Sequence, residues 1–244
     1  GIRNTALGFE ALTSNTTADN NTGLGHTALA SNTTGDENVA IGYNSLAQNT
    51  TASNNTAIGT YSFDANTTGH SNVAVGHSAL GANTTANNNT ALGASALLAN
   101  TTGANNTAIG TSALDANTTG ASNTAVGYDA LGGNTTGGHN TCLGFRSGEY
   151  STILQTGTGN VVIGAYAHTS ATDTAQAIVI GYDVSGISSY TTIGSGTSDI
   201  RTAHGSTSWA TVSDERVKKD IEDSTAGLSF INDLRPVTFN YKTK

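Results

Sequence analysis

Glycine recurs at Gly8, Gly25, Gly42, Gly59, Gly76, Gly93, Gly110, Gly127 and Gly144, with a spacing of 17 residues each time. Asparagine leads the same units, at Asn4, Asn21, Asn38, Asn55, Asn72, Asn89, Asn106, Asn123 and Asn140. The unit reads N-[TV]-[AG]-[LIV]-G-x-x-[AS]-[LF]-x-x-N-T-T-[AG]-x-x, with Cys142 in the third place of the ninth unit. After Asn140 the regularity loosens, and the glycine returns at Gly164, Gly181 and Gly194. About ten to twelve units therefore run from residue 4 to about residue 196. Thr, Asn and Gly number 42, 26 and 30, together 98 of 244 residues. Such a bias suits low complexity or disorder, but a fixed period assigns each residue type a place in an ordered repeat.

Seventeen residues are too few for a helical repeat, which runs about 33 to 47 residues. They suit one coil of a parallel β-solenoid. Thr5 and Leu7 lie on one face of a short strand, with Ala6 on the other. Gly8 makes a corner, and N-T-T-[AG] makes a turn. In a solenoid each residue stacks on its equivalent about 4.8 Å away. The fourth-position column from Leu7 to Leu143 and the ninth-position column from Leu12 to Leu131 are the expected core. The small-residue columns headed by Ala6 and Ala11 are expected to face, one the opposite side of the coil, the other a neighbouring chain. The column from Asn15 to Asn134 is expected to stack as an amide ladder. That assigns its many N-x-T sequons to structure rather than to glycosylation.

Two large apolar side chains per coil leave a thin core, and a thin solenoid leaves its flanks uncovered. The expected remedy is a second and third copy of the chain in a homotrimer, because symmetric association covers such surfaces. The motifs NVAIG (Asn38 to Gly42) and NVAVG (Asn72 to Gly76) resemble the head repeats of trimeric autotransporter adhesins. That resemblance spans residues 4–196 and departs in period. It implies a left-handed parallel β-roll assembled as a trimer.

The tail differs in composition. Residues 4–145 contain no Lys or Arg and seven acidic residues, whereas residues 214–244 contain six basic and six acidic ones. This divides the chain into a β-roll shaft (1–196), a Ser/Thr/Gly-rich linker (197–212) and a C-terminal segment (213–244). In that segment Leu228, Ile231 and Leu234 have helical spacing, Pro236 stops the helix, and Val237, Phe239 and Tyr241 alternate as a strand does. The expected fold is therefore all-β with a short α/β end. The run Ser213-Asp214-Glu215-Arg216-Val217-Lys218, with Leu234-Arg235-Pro236-Val237 after it, resembles the start of the intramolecular chaperone domain of phage tailspikes and tail fibres, known from endosialidases. The family domain trimerises, assists folding of the β-structure before it, and cuts itself off. The resemblance implies cleavage between Ser213 and Asp214, with Ser213 as nucleophile and Lys218 as base. A hydroxyl needs an adjacent base to attack a carbonyl, and a desolvated lysine serves. The resemblance covers only the first part of the family domain, so this chain by itself is expected not to cleave.

Other chemistries find little support. One cysteine forms no internal bridge, and no run of about 18 apolar residues can cross a bilayer as a helix. A shaft whose only Lys or Arg residues are Arg3 and Arg146 is unsuited to nucleic acid. His26 and His77 share a column but stand three coils apart, too far to share a metal, and no cofactor motif occurs. An aromatic column of Phe9, Tyr43, Tyr128 and Phe145, which the two histidines join, is expected to pack at the corner, with stacking on sugar rings as the alternative. Adjacent Thr16 and Thr17 point to opposite faces, unlike the T-x-T of an ice-binding solenoid. The repeats hold no catalytic triad and no paired carboxylates in one groove, so no activity on external substrates is expected. The expected function is structural and adhesive, namely attachment of a virion to a host-surface glycan or receptor by a tail fibre or tailspike. A bacterial trimeric surface adhesin is the alternative.

Overall fold

The computed structural model describes residues 1–208 and 210–211. By internal contact the chain divides into two units, Gly1–Val212 and Ser213–Lys244. The helix and strand expected within 213–244 lie outside the described residues. The first unit is a parallel β-solenoid of about 11 coils of about 17 residues, and no helix occurs among the described residues.

Each regular coil contributes one three-residue strand. These are β1 (Thr5–Leu7), β2 (Thr22–Leu24), β3 (Val39–Ile41), β4 (Thr56–Ile58), β5 (Val73–Val75), β6 (Thr90–Leu92), β7 (Thr107–Ile109), β8 (Thr124–Val126) and β9 (Thr141–Leu143). The looser coils give β10 (Val161–Ile163), β11 (His168–Thr169), β12 (Ile178–Tyr182), β13 (Ser185–Gly186) and β14 (Tyr190–Ser195), followed by β15 (Ser198–Ala203) and β16 (Ala210–Thr211). β1 to β10, β12, β14, β15 and β16 form one 14-stranded sheet in that order, and β11 pairs with β13. Pairing is parallel and in register from β1 to β14, so Thr56 sits on Val73, Ala57 on Ala74 and Ile58 on Val75. β14–β15 and β15–β16 are antiparallel, which ends the one-coil-per-strand progression. Outside the strands the backbone ladder continues: the Leu46 N–H donates to Ser62 O at 3.0 Å and the Thr33 N–H to Thr50 O at 2.8 Å.

The inside of the coil is not lined as expected. The third-position residues Ala40, Ala57, Ala74, Ala91, Ala108, Ala125 and Cys142 are fully buried, and so are the eighth-position residues Ala28, Ser45, Ser62, Ala79, Ala96, Ala113 and Ala130. Neither small-residue column faces outward. The ninth-position column is buried as expected, from Leu29 through Phe63 to Leu131. The fourth-position column is not core. Leu92 is 45% exposed and Ile109 36%, and the rest of that column between Leu24 and Leu143 is half-buried. Strand alternation explains the correction: with the third position inward, the second and fourth must point out. The narrow interior admits one Leu and two small residues per coil, so the β-branched and larger apolar side chains of each strand form a flat outer stripe.

Two asparagines close each coil. Nδ2 of Asn38 and Nδ2 of Asn49 both donate to the Ala52 carbonyl, at 2.9 Å each. Oδ1 of Asn38 accepts the Asn55 N–H of the next coil at 3.0 Å, and Asn49 Nδ2 also donates to Asn32 Oδ1 at 2.8 Å. Both amide columns thus run along the axis, fully buried from Asn21 and Asn32 onward. The expected ladder of the Asn15 column is present, and the leading Asn column is a second one. A fully buried Asn32 or Asn49 has no amide free for a glycan in the folded shaft.

The tight path demands left-handed backbone. Glycines at the corner have φ near +135°, and a Cβ on Gly59 would meet Gly76 O at 2.5 Å. Three non-glycine residues per coil also have positive φ, such as Ser95 at 57° and Leu97 at 53°. For L-residues that conformation costs about 1–2 kcal/mol. Stacking holds it because Leu97 fills the core. Accordingly, Leu97→Ala is expected to destabilise the shaft by about 2–5 kcal/mol, whereas Ser95→Gly is expected to be neutral or stabilising. Urea unfolding followed by circular dichroism distinguishes the two. Equal losses in both variants would contradict this reading.

Candidate functional site

Ser213, Asp214 and Lys218, the residues expected to carry self-cleavage, lie outside the described residues. Within the shaft, the groups available for recognition are the side chains that follow each corner glycine. The left-handed turn there ends the strand and projects the sixth-position residue away from the interior. Phe9, Tyr43, Tyr128, Phe145 and Tyr182 are exposed, so the corner rings stand outside the core.

The rings stack in two ladders. In the first, His26 lies between Phe9 and Tyr43 with ring centroids 5.2 Å from each and planes tilted by about 25°. Tyr43 then meets Tyr61 edge-on at 5.3 Å, and Tyr61 meets His77 at 6.4 Å. Tyr43 and Tyr61 therefore occupy the coils between the two histidines. Among the described residues no group of three His, Cys, Asp or Glu side chains is placed to hold a metal ion. In the second ladder Tyr128 and Phe145 stack at 5.3 Å and 14°, Phe145 meets Tyr166 at 5.3 Å, and Tyr166 meets Tyr182 at 5.8 Å. The coils between hold Ala94 and Thr111 at the equivalent position and carry no ring there.

The second ladder coincides with the break in the period. Asn140 to Asn160 spans 20 residues instead of 17. The longer coil brings Tyr150 against Tyr166, at 4.6 Å between centroids, and against His168 at 6.1 Å. Arg146 sits 5.9 Å from the Tyr150 ring centroid and pairs with Asp129 at 3.1 Å. Glu149 folds back so that one carboxylate oxygen accepts the Gly133 N–H. A Cβ at Gly133 would lie 2.1 Å from Ile153 Cγ2, so the Gly132-Gly133 pair makes room for the enlarged coil. Burial, together with the charges of Asp129 and Asp115, raises the Glu149 carboxyl to about 7, although the Gly133 bond and Arg146 oppose this. Burial, then Asp129, also raises Asp115. Cys142 is buried in the alanine column, and burial pushes its thiol up, away from reactivity.

Sequence reasoning found Phe9, His26, Tyr43, His77, Tyr128 and Phe145 as one column. It missed Tyr61 and Tyr166, which sit one position later, where Thr60 and Ala165 take the usual place. It also missed Tyr150, Tyr182 and the Asp129–Arg146–Glu149 cluster. The usable signal was the three-residue insertion together with Gly132-Gly133.

Residues 213–244 match the protein family described as chaperone of endosialidase. No curated protein and no solved structure matches the chain. No helix among the described residues is long and apolar enough to cross a membrane.

The raised Glu149 carboxyl fixes the sign of one pH effect. The folded state holds this proton more tightly than the unfolded state, so its contribution to stability is present below about pH 4.5 and is lost as pH rises towards 7. Glu149→Gln, which cannot ionise, is expected to raise the melting temperature relative to the parent chain above pH 7. After discounting for partial solvent screening this amounts to about 1 kcal/mol, and the difference is expected to vanish near pH 4. A melting-temperature difference that is constant with pH would contradict it.

Proposed function

We propose that the chain is part of a trimeric tail fibre or tailspike whose shaft attaches a virion to a host surface. Its C-terminal segment, on this reading, starts an autoproteolytic chaperone. The observation that carries the proposal is the outer face of the sheet. Columns of Thr or Val at the second position of the repeat unit and Leu, Ile or Val at the fourth, the two ends of each strand, run from β1 to β9. They are half-buried to exposed and carry no charge. An uncharged stripe of Thr, Leu, Ile and Val running along so many coils is a surface that copies of the chain can cover. The match of residues 213–244 to the chaperone family supports the viral setting. That resemblance also supplies the assignment of Ser213 as nucleophile and Lys218 as base for cleavage before Asp214.

The resemblance to trimeric adhesin heads and to the chaperone family supports three copies, with the stripes inward around a three-fold axis. Sedimentation equilibrium is expected to give three times the chain mass of 24.5 kDa. Ile58→Asp with Ile109→Asp, placing charge in the stripe, is expected to reduce the mass to one chain or to abolish folding. Ala substitutions at the same positions are expected to weaken association without unfolding. A folded parent monomer would contradict the proposal. The attachment half is checked by retention of the labelled chain on intact bacteria from a strain panel, and retention on no strain would contradict it. In a chain carrying the whole chaperone domain, intact-mass spectrometry is expected to find a product ending at Ser213. Ser213→Ala and Lys218→Ala are each expected to abolish it, and undiminished cleavage in both would rule out the dyad.

A further inference from the structure

We infer that the rings of the enlarged coil and its neighbours, namely Tyr128, Phe145, Tyr150, Tyr166 and Tyr182, form a binding platform for a neutral polysaccharide, with Asp129 and Arg146 as its polar edge. The inference deepens the attachment reading and rests on it only for the biological source of the glycan.

The repeat is broken here at a cost. In every coil from Asn32 to Asn134 the twelfth position is Asn, and in the enlarged coil Leu154 takes its place. Asn134 Oδ1 is left buried without a partner. Losing a partner for a buried acceptor costs about 1–3 kcal/mol. What the longer coil gains is Tyr150, Glu149 and the packing of Ile153 over Gly133. Departures from a local rule concentrate at functional sites.

A missing ring is also replaced from the next residue. Ala165 takes the usual ring position, and Tyr166 supplies the ring from the next residue at φ 58°. Thr60 and Tyr61, at φ 54°, do the same in the first ladder. That seventh position has a positive φ in every coil from Glu10 to Asp183, so the shifted ring uses a conformation the repeat already supplies. In both ladders the ring is restored just where the column would otherwise lack one. The result is a water-facing surface on which Tyr128 is 52% and Tyr182 58% exposed.

The chemistry selects the ligand. An aromatic face is electron-rich and packs against the polarised C–H face of a pyranose. Successive coils, about 4.8 Å apart, offer ring after ring, which suits a chain of sugars better than a single small molecule. The Asp129 carboxylate accepts and the Arg146 guanidinium donates, so the pair can serve neighbouring hydroxyls together. Arg146 is the one Lys or Arg between Arg3 and Arg201; Asp129 pairs with it, and Asp115 and Glu149 lie near Asp129. That local excess of carboxylate opposes acidic sugars, nucleic acid and anionic lipid, leaving neutral glycans as the complementary class.

Affinity electrophoresis of the full chain, in gels containing dextran, mannan, galactan or polygalacturonate, tests the platform. Retardation is expected with at least one neutral polysaccharide and not with polygalacturonate. The double variant Tyr128→Ala with Tyr150→Ala, both exposed positions, is expected to weaken that retention about tenfold or more. It should leave the circular dichroism spectrum and the sedimentation mass unchanged. Tyr43→Ala, in the other ladder, is expected to retain the parent affinity. No retardation by any neutral polysaccharide, or retention undiminished in the double variant, overturns the platform. So does a double variant that changes sedimentation mass instead of retention, because the rings would then contact a second copy of the chain. If the parent chain still binds intact bacteria in those cases, the attachment reading stands and the platform alone falls.

Discussion

The shaft depends on one small arrangement: two asparagine amides meeting on one backbone carbonyl in each regular coil up to Gly137. Asn38 reaches Ala52 across the coil, and Asn49 reaches the same carbonyl across the turn. Their oxygens and remaining protons engage the coils on either side. A chain that must return to its starting point in 17 residues leaves many backbone groups to satisfy in a narrow space. Buried polar groups need partners, and these amides provide them along the whole axis. They also set the width of the coil, which admits alanine at two positions and one leucine at a third.

The outward stripe follows from that width. Beyond the ninth-position Leu or Phe63 the coil has no room for a further large apolar side chain, so strand alternation sends those of the strand to the other face. The solenoid is thus apolar on the inside through small residues and apolar on one outer face through β-branched and branched ones. The absence of Lys and Arg from residues 4–145 belongs to the same constraint, since a charge in any stacked column would stand about 4.8 Å from its own kind. The ring ladders use positions released from both requirements, most of them just beyond the corner glycine.

Period, corner glycines, coil number and the Asn15 ladder were all legible in the sequence, because stacking converts each into a column. The direction of the strand was not. Thr5, Ala6 and Leu7 alternate whichever way they face, and the larger residue suggested the core. Only the closure of the coil by the leading Asn column, which places Ala40 and Ala57 inside, decides it. The site was half legible. A column of rings is visible at fixed spacing, but Tyr61 and Tyr166 leave that spacing by one residue, and Tyr150 lies in an insertion that no column predicts. Glu149 acquires its raised carboxyl from burial in the enlarged coil and from the charge of Asp129, 20 positions away, against the opposing Gly133 hydrogen bond, and no local pattern encodes this.

The central claim is that the outer apolar stripe is covered by other copies of the chain, and thiol protection tests it most directly. Cys142 is buried and gives a silent background. Leu92→Cys lies in the stripe at a position that is exposed in the single chain, and Gln48→Cys lies at an exposed position outside it. In the assembled protein the account predicts slow maleimide labelling at Leu92→Cys and fast labelling at Gln48→Cys. Equal, fast labelling at both positions would contradict it.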